Sequence, residues 1–346
     1  MMHAGLDLSR NRLDVQVLSA HGERIQQLKA TPTVDGLHEL VDRVAQYRQP
    51  VRAAIESMTG ARFVHDQLEL AGWDVSIADC VKVKGLAPLA CKTDKIDAWV
   101  LAELSRRDLI PEIWLADPGV RAERERARWR LHLVHHRTAL KNRIHQTLIT
   151  FGLPCPVADL FGVRGRKLLD GFAMPEPWLG SVRGALQLID DLSRQIAERE
   201  RELRELGADH PYVPLLLTVP GIGWVLAYTI AAEIGDIHRF PSPTKLIGYT
   251  GLCPSVRQSG EQDYRGPITK HGPRYLRWGL IEAAHRAATT TAYSARYHTI
   301  KRRLGRQRGS KVATVDIARQ LTKAIWHMLN RNQPFAPGGA IVALVA

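Results

Sequence analysis

The sequence predicts an α/β domain with a mixed sheet, followed by a mostly α-helical remainder. Strand and helix signals alternate through about the first 110 residues, which is typical of an α/β sheet. From Pro118 onward the apolar residues recur with helical spacing instead. The chain has 346 residues, a length that favours two or three domains.

Three strands are expected first, because short apolar or alternating runs occupy 4–8, 13–18 and 24–28. The elements that follow are a helix, a strand, a helix and a strand, at 33–47, 51–55, 63–70 and 75–78. Leading strands followed by such alternation indicate a mixed sheet. Asp14 alternates with apolar neighbours in the second strand, so we expect its side chain to face solvent.

A long helix is expected to begin at Asp117-Pro118 and to reach Leu148, before a Pro/Gly-rich break over 152–177. The next helix has a heptad repeat and should end at Gly207. Val182, Ile189, Ile196 and Leu203 fall at the first heptad position. Ala185, Leu192, Arg199 and Leu206 fall at the second. This repeat predicts a coiled coil, formed either with the preceding helix or between protomers.

The last 130 residues or so predict a second compact, mostly helical unit. The run Val219-Pro220-Gly221-Ile222-Gly223 before an apolar segment is the pattern of a helix-hairpin-helix, whose glycine turn offers N–H groups to a phosphate. A bare turn between core helices is the alternative. The apolar stretch 213–235 is interrupted by prolines, glycines and Glu233, so we expect it in a soluble core and not in a membrane.

The charge distribution favours a polyanionic partner. The chain carries a formal +13, with 48 Lys and Arg against 35 Asp and Glu. Residues 121–143 carry a net +6 and residues 265–311 a net +11, which leaves −4 for the rest. Such concentrated basic segments are typical of nucleic-acid contacts, although a salt-bridged helical face is the alternative. Four separated cysteines without a C-x-x-C pair indicate a reducing cytoplasm.

Four carboxylates stand out. Asp7 interrupts an apolar strand, Glu56 ends the fourth strand, and Asp94 and Asp97 share one face of a helix start. Carboxylates that meet in one place repel each other, and divalent metal held by oxygen ligands is the usual solution. A helix-terminal role for Asp94 is the alternative. The histidines at 132, 135 and 136 are more typical of a surface than of a metal site.

Two sets of motifs resemble the DEDD insertion-sequence transposases, the bridge-RNA-guided recombinases. The first set is G-L-D-L with L-D-V, then I-E-S-M-T-G and K-T-D-K-I-D-A. The second set is V-P-G-I-G, L-I-G-Y-T-G-L-C-P, Q-S-G, R-G-P-I-T-K-H-G and Y-L-R. The resemblance covers about residues 3–335. One spacing differs, because Glu56-Ser57-Met58-Thr59-Gly60 is one residue longer than the family's Glu-x-Thr-Gly.

The resemblance implies a RuvC-like, RNase H-like catalytic domain over 1–115. A helical, coiled-coil oligomerisation region over 116–207, a C-terminal transposase domain over 208–335 and a tail over 336–346 should follow. It also implies that Asp7, Glu56, Asp94 and Asp97 bind Mg²⁺, and that Ser259 is the nucleophile. An attacking serine would form a phosphoserine diester, which keeps the energy of the bond for rejoining. No P-loop signature is present.

The implied partners are donor and target DNA, a noncoding guide RNA and further copies of the chain, as a homodimer or homotetramer in the nucleoid-associated cytoplasm. In such an assembly the RuvC-like domain of one protomer meets the serine domain of another. The residues expected to contact nucleic acid are Arg265, Lys270, Arg274, Arg277, Lys301, Arg302, Arg303, Arg306, Arg308 and Lys311. Two alternatives remain: a metal-dependent junction-resolving nuclease that uses water, and a non-catalytic nucleic-acid-binding protein.

Overall fold

The computed structural model describes residues 1–86, 94–260 and 262–336, with the side chains of residues 94, 95, 291 and 306 excepted. The chain divides into two compact units, Met1–Leu115 and Ala116–Ala346. The finer predicted division at 116–207, 208–335 and 336–346 stays a prediction, and residues 337–346 lie outside the described part of the chain.

The first unit contains the predicted mixed sheet, which confirms the α/β class. Its strands are β1 (Met2–Leu8), β2 (Leu13–Ser19), β3 (Arg24–Ala30), β4 (Val51–Glu56) and β5 (Asp74–Ala78). The strand order is β3-β2-β1-β4-β5. β2 is antiparallel to both neighbours, while β1, β4 and β5 run parallel. The first strand is therefore central, and its carboxyl end lies beside that of β4.

Helices cover both faces of β1. The helices of this unit are α1 (Val34–Ala45), α2 (Ala61–Leu70), α3 (Cys80–Leu86) and α4 (Asp94–Arg106). The Thr33 side chain caps α1 by accepting from the Gly36 N–H at 3.2 Å. Alternate β1 residues, among them Leu6, join a core with α1 and α2 residues such as Leu40 and Leu68. The other face of β1 packs against α4.

The second unit begins with three helices: α5 (Pro118–Thr150), α6 (Val163–Asp170) and α7 (Trp178–Ala208). Asp117 caps α5 as predicted, since its side chain accepts from the Val120 N–H at 3.0 Å. The predicted break over 152–177 is wrong in part, because α6 forms inside it around the buried Leu169. The predicted stop at Gly207 is also displaced. That residue lies in the last turn of α7, where its small size admits the side chain of Val213.

α5 and α7 pack against each other within the chain and run antiparallel. Arg130 binds Glu200 at one end of the pair, and Ile144 shares a core cluster with Val182 near the other. All four residues of the first heptad position are buried. Leu206 at the second position is 45% exposed. The intrachain alternative for the heptads is thus realised, and a coiled coil between protomers stays a prediction.

The rest of the second unit is mostly helical, as predicted. It comprises α8 (Val213–Leu217), α9 (Trp224–Ile234), α10 (Pro243–Thr250), β6 (Pro254–Ser259), β7 (Gln262–Ile268), α11 (Arg274–Ala287) and α12 (Thr291–Arg331). Most of α9 is buried in the core of this unit. Within the described residues, no helix has the length and apolarity needed to cross a bilayer.

α12 bends back on itself at Gly305, which has a φ of 76° and a ψ of 178°. Arg296 binds Asp316 through two guanidinium nitrogens across the bend, with one contact of 2.5 Å and one of 3.2 Å. The Tyr297 and Ser310 hydroxyls are 2.9 Å apart. Glycine is needed at the bend, because only glycine readily adopts this combination of angles.

Candidate active site and nucleic-acid interface

Two carboxylates lie at the carboxyl ends of neighbouring parallel strands. Leu6 of β1 pairs with Ile55 of β4. The next residues, Asp7 and Glu56, therefore lie side by side at one edge of the sheet, and both are partly buried. Since paired residues of adjacent strands share a face, both side chains project to the same side.

The direction of α4 follows from two close contacts with β1. His3 Nδ1 lies 3.2 Å from Ser105 Oγ, near the end of the helix. A Cβ atom on Gly5 would lie 1.8 Å from the carbonyl oxygen of Ala98, so only glycine allows this approach. Moving along β1 thus corresponds to moving backward along α4. The first turn of α4 consequently lies at the carboxyl end of β1.

This arrangement places Asp97 at the same edge as Asp7 and Glu56. His3, Gly5 and Asp7 alternate onto one face of β1, and that face is the one that α4 covers. Asp97 is partly buried one turn into the helix. Asp94 begins α4, but its side chain lies outside the described residues. Three of the four predicted carboxylates therefore belong to one edge.

The expectation that Asp14 faces solvent is wrong, because Asp14 is only 3% exposed. β2 is buried on both faces, so the alternation of polar and apolar residues does not indicate a solvent face. Asp14 is directly opposite Asp7 in the register of β1 and β2 and shares its face. Arg12 compensates its charge, with Nε 2.6 Å from Oδ2. Sequence reasoning missed this fifth carboxylate near the edge.

The donor set at this edge suits a hard divalent cation, since carboxylate oxygens are the ligands that Mg²⁺ prefers. Among the side chains that the structure describes, no group of three His, Cys, Asp or Glu is close enough to hold a metal ion. That finding does not include the carboxylate of Asp94. The four-residue metal site stays a prediction.

Ser259 lies at the tip of a two-stranded hairpin that the sequence did not predict. β6 and β7 are antiparallel, with Ser259 opposite Gln262. Gly260 takes a φ of 58° in the turn, a conformation typical of tight hairpins. Ser259 is exposed, and its hydroxyl has no hydrogen-bond partner among the described residues.

The register of the hairpin identifies the neighbours of Ser259. Arg257 and Tyr264 form the next pair on the same face, two residues before Ser259 and two after Gln262. Tyr264 is 71% exposed, which is unusual for a tyrosine that serves only packing. The exposed hydroxyl of Ser259 thus shares a surface with a cation and an aromatic ring.

The arginines of residues 121–143 are largely engaged inside the second unit. Arg128 binds Glu233 through two nitrogens at 2.7 and 3.0 Å, and Glu233 is completely buried. Burial alone would lower the Arg128 pKa, but the hydrogen bond and charge of Glu233 raise it overall. Arg124 donates to the Ala232 and Glu233 carbonyl oxygens, both at 2.8 Å. For these residues the salt-bridged alternative is the better description.

The cations around the α12 bend differ. Five of the residues predicted to contact nucleic acid have exposed side chains, and within the described residues none of these has an ion-pair partner: Lys301, Arg302, Arg303, Arg308 and Lys311. The Arg306 side chain lies outside the described residues. We call the five cations the basic bend. They occupy a short stretch on both sides of Gly305.

Four other residues predicted to contact nucleic acid lie around the hairpin and α11. Lys270 is exposed, Arg265 binds Asp263 at 3.0 Å and Arg274 donates to the Tyr275 hydroxyl at 2.6 Å. Arg277 donates to the Thr250 carbonyl at 3.1 Å, and burial lowers its pKa. That bond orders the turn after α10. A phosphate contact for each of the four stays a prediction.

The glycine turn between α8 and α9 borders an open cavity of about 450 Å³. Gly221, with a φ of 88°, and Gly223 line it together with Arg286 and Thr290. Gly221 approaches the carbonyl of Ala283 on α11 so closely that a Cβ would lie 2.6 Å from it. Packing against α11 already accounts for this glycine, so the helix-hairpin-helix function stays a prediction.

Two family models match the chain over both units. A DEDD transposase model for IS110 matches residues 4–152, and the model described as "Transposase IS116/IS110/IS902 family" matches residues 213–299. The first match includes Asp7, Glu56, Asp94 and Asp97. The second match includes the hairpin with Ser259.

Several curated proteins are similar over much of their length. A probable family 20 transposase of Pseudomonas aeruginosa is 26% identical over 96% of this chain and 98% of its own. The transposase for insertion sequence element IS1328 of Yersinia enterocolitica is 28% identical over 81% of this chain and 82% of its own length. The transposase for insertion sequence element IS1111A of Coxiella burnetii is 26% identical over 71% of this chain and 69% of its own length.

One solved structure, the Thermus thermophilus RuvC structure, matches 33% of this chain and all of its own, with 15% identity and a TM-score of 0.24. A score at this level carries no argument about function. The fold of the first unit therefore rests on its own strand order and register.

Proposed function

We infer that this chain, which belongs to the IS116/IS110/IS902 family of transposases, cuts and rejoins DNA through a phosphoserine intermediate, guided by a noncoding RNA. The main support is that each unit carries one part of such a reaction. The first unit has a carboxylate edge on a RuvC-like sheet, and the second has an exposed serine beside Arg257 and Tyr264.

The carboxylate edge would hold Mg²⁺ through Asp7, Glu56, Asp97 and Asp94. These residues suit the ion because they supply only carboxylate oxygens, and the strand ends and α4 bring three of them to one edge of the sheet. When bound, Mg²⁺ would stabilise the charge that develops on phosphate oxygens. Arg12 would offset the charge of the buried Asp14, which lies opposite Asp7 on the same face of the sheet.

In the second unit, the Ser259 hydroxyl would attack a DNA phosphorus. The Ser259 Oγ–phosphorus bond forms, the bond from phosphorus to one deoxyribose oxygen breaks, and the departing oxygen takes up a proton. A hydroxyl of the new strand then attacks the same phosphorus and releases serine. The number of phosphodiester bonds is unchanged, so no ATP is required.

The face of the hairpin suits this step. Arg257 is placed to neutralise the phosphate that Ser259 attacks, because it lies on the same face one pair away. Tyr264, opposite Arg257, offers an exposed ring on which a neighbouring base can stack. Both residues are expected to orient the DNA strand over the serine hydroxyl.

The basic bend would bind the backbone of the guide RNA or of DNA. Its five cations are exposed and have no carboxylate partner among the described residues, so their full charge is available to phosphates. An oligomer in which the carboxylate edge of one protomer serves the hairpin of another would bring the two parts together. The exposed heptad residue Leu206 is available for such a contact.

The test is to trap and map the covalent intermediate. The full chain with its co-purified RNA is incubated with donor and target DNA and Mg²⁺, and the adduct is digested for peptide mass spectrometry. We expect one modified residue, Ser259, and no adduct from Ser259→Ala at unchanged DNA and RNA affinity. Ser255→Ala, in the same hairpin, is the matched control. DNA cleavage that persists in Ser259→Ala would indicate the junction-resolving nuclease, with water as the attacking group.

The guide RNA is tested separately by sequencing the RNA that co-purifies with the chain. One dominant noncoding RNA, with segments complementary to both target and donor DNA, is the expected result. A mixture of unrelated cellular RNAs would contradict the guided mechanism and leave the serine chemistry untouched.

A further inference from the structure

A second ligand site is formed by a cavity of about 410 Å³ beside the last turns of α12. Its walls include Tyr293, Lys323, His327, Arg331 and Phe335. The segment after α12 closes one side. It is held there because the Phe335 N–H donates to Thr218 Oγ1 at 2.8 Å, and the Gln333 N–H donates to the Met328 carbonyl at 2.9 Å. The volume lies within the range of small-ligand sites.

Three basic side chains line this cavity from one face of α12. Lys323, His327 and Arg331 are spaced four residues apart, which places them in a row on the helix. Neither Lys323 nor Arg331 has an ion-pair partner among the described residues, and no described carboxylate lines the cavity. The helix dipole explains a cation in the last turn, but Lys323 lies two turns earlier. The charges of Lys323 and Arg331 therefore remain available to an anion in the cavity.

His327 provides an independent indication. Its Nδ1 atom is buried and has no hydrogen-bond partner in the described protein. Burial, followed by the charges of Arg331 and Lys323, lowers the His327 pKa. A buried polar atom without a partner costs free energy, so the His327 ring keeps one unsatisfied atom beside the cavity. The lowered pKa favours the neutral ring, so Lys323 and Arg331 supply the positive charge of the row.

Two aromatic rings also line the cavity. The rings of Tyr293 and Phe335 lie 6.2 Å apart and meet at 38°. Burial raises the Tyr293 pKa, which keeps its hydroxyl neutral. The amides of Gln320 and Gln333 also line the cavity and can both donate and accept hydrogen bonds. Aromatic rings, cations and amides in one cavity are what a base with an attached phosphate requires.

We propose that this cavity binds a nucleotide, with the phosphate at Lys323, His327 and Arg331 and the base against Tyr293 and Phe335. The same chemistry is offered by a free mononucleotide and by the terminal or extruded nucleotide of a single strand. The proposal does not depend on Ser259 or on the carboxylate edge. The cavity would bind one nucleotide of the DNA substrate or of the guide RNA, separately from the other nucleotides of that strand.

The experiment is calorimetric titration of the full chain, freed of RNA by nuclease and high salt. The ligands are AMP, adenosine, inorganic phosphate and a 5′-phosphorylated tetra-adenylate. AMP should bind saturably and more tightly than adenosine or phosphate alone, since only AMP supplies both halves. Lys323→Gln combined with Arg331→Gln should weaken AMP binding at least about 10-fold. Arg319→Gln, on the same helix and outside the cavity lining, is the control for loss of a positive charge and should bind as the unmodified chain does.

Two further measurements separate the outcomes. Tyr293→Leu should weaken AMP binding while leaving phosphate binding unchanged. Tetra-adenylate that binds at least about 10-fold more tightly than AMP identifies a single strand as the source, and equal affinities identify a free nucleotide. The proposal is overturned if neither AMP nor tetra-adenylate binds saturably. It is also overturned if the Lys323→Gln, Arg331→Gln double variant binds AMP and tetra-adenylate as tightly as Arg319→Gln does.

Discussion

The arginines of α5 and the cations of α12 come from segments of similar basic composition, yet the fold engages them differently. On α5, Arg128 binds the buried Glu233, and Arg130 binds Glu200 on α7. Around Gly305 of α12, the basic bend has no such partners among the described residues. The difference arises from the helices that pack beside each segment. α5 packs along α7 and α9, which supply acids and carbonyls, whereas the five cations of the bend have no ion-pair partner in the described part of the chain.

The comparison shows that local charge in a sequence does not by itself indicate a nucleic-acid contact. A basic residue contributes to binding only if the fold leaves it without an internal partner. Variants that remove charge from α5 and from the basic bend in turn test this distinction.

The largest effect is expected from Arg128→Met, which leaves Glu233 buried and unpaired. We expect the free energy of unfolding to fall by about 3–5 kcal/mol, measured by urea denaturation. Arg43→Met removes an exposed pair with Glu39 and should cost about 1 kcal/mol or less. Combining Arg128→Met with Glu233→Leu should recover much of the loss. A loss below that of the Arg43 control would mean that the α5 arginines are not structural.

The basic bend is tested by changing Lys301, Arg302 and Arg303 together to Gln. If each contacts one phosphate of duplex DNA, the slope of log K against log salt should become shallower by about 2.7. Over a fourfold rise in salt, the unmodified chain would then lose about 40-fold more affinity than the variant. Arg183, Arg201 and Arg204 on α7 form the matched control set, because they are also exposed and have no ion-pair partner in the described structure. Equal slopes for the two sets would refute a specific role for the bend.

The geometry of the bend is tested by Gly305→Ala. Because Gly305 has a positive φ, alanine there should cost at least about 1 kcal/mol and shift the two arms of α12. Affinity for nucleic acid should fall while all charges remain. Gly184→Ala, a helical glycine of α7 with open space around it, serves as the control. If Gly305→Ala binds normally, charge alone and not its placement accounts for binding.

The smallest effect is expected at a third basic cluster, Arg106 and Arg107 of α4. The hydrogen bonds from Arg106, opposed in part by burial and assisted by Arg107, lower the Glu103 pKa from 4.5 to about 2. A lowered carboxyl pKa stabilises the fold above the unfolded value, and that contribution is lost as the pH falls from about 4.5 toward 2. Glu103→Gln should therefore be less stable than the unmodified chain at pH 6 and equal to it near pH 2. A constant difference across that range would contradict the assignment.

The sequence was sufficient for the strands of the first unit, because short apolar runs with clear turns between them leave little ambiguity. It also located the carboxylates that end β1 and β4. It was wrong about Asp14, since a strand that is covered on both faces no longer separates its polar side chains from its apolar ones.

Other features depend on contacts between distant parts of the chain. The hairpin around Ser259 has few apolar residues and many exposed ones, so its pattern resembles a loop. The pairing of Arg128 with Glu233 joins residues more than 100 positions apart. The row of Lys323, His327 and Arg331 becomes a site only because the segment through Phe335 returns beside it. Patterns within one short window do not contain this information.

We propose that the carboxylate edge of one protomer and Ser259 of another serve the same step. It is tested most directly by measuring the covalent protein–DNA adduct of Asp7→Asn, of Ser259→Ala and of an equimolar mixture allowed to assemble together. Neither variant alone should form the adduct, although both should bind DNA and RNA normally. The mixture should form it, and only on the chain that carries Asp7→Asn and retains Ser259. Adduct formation by Asp7→Asn alone at the rate of the unmodified chain would contradict the account.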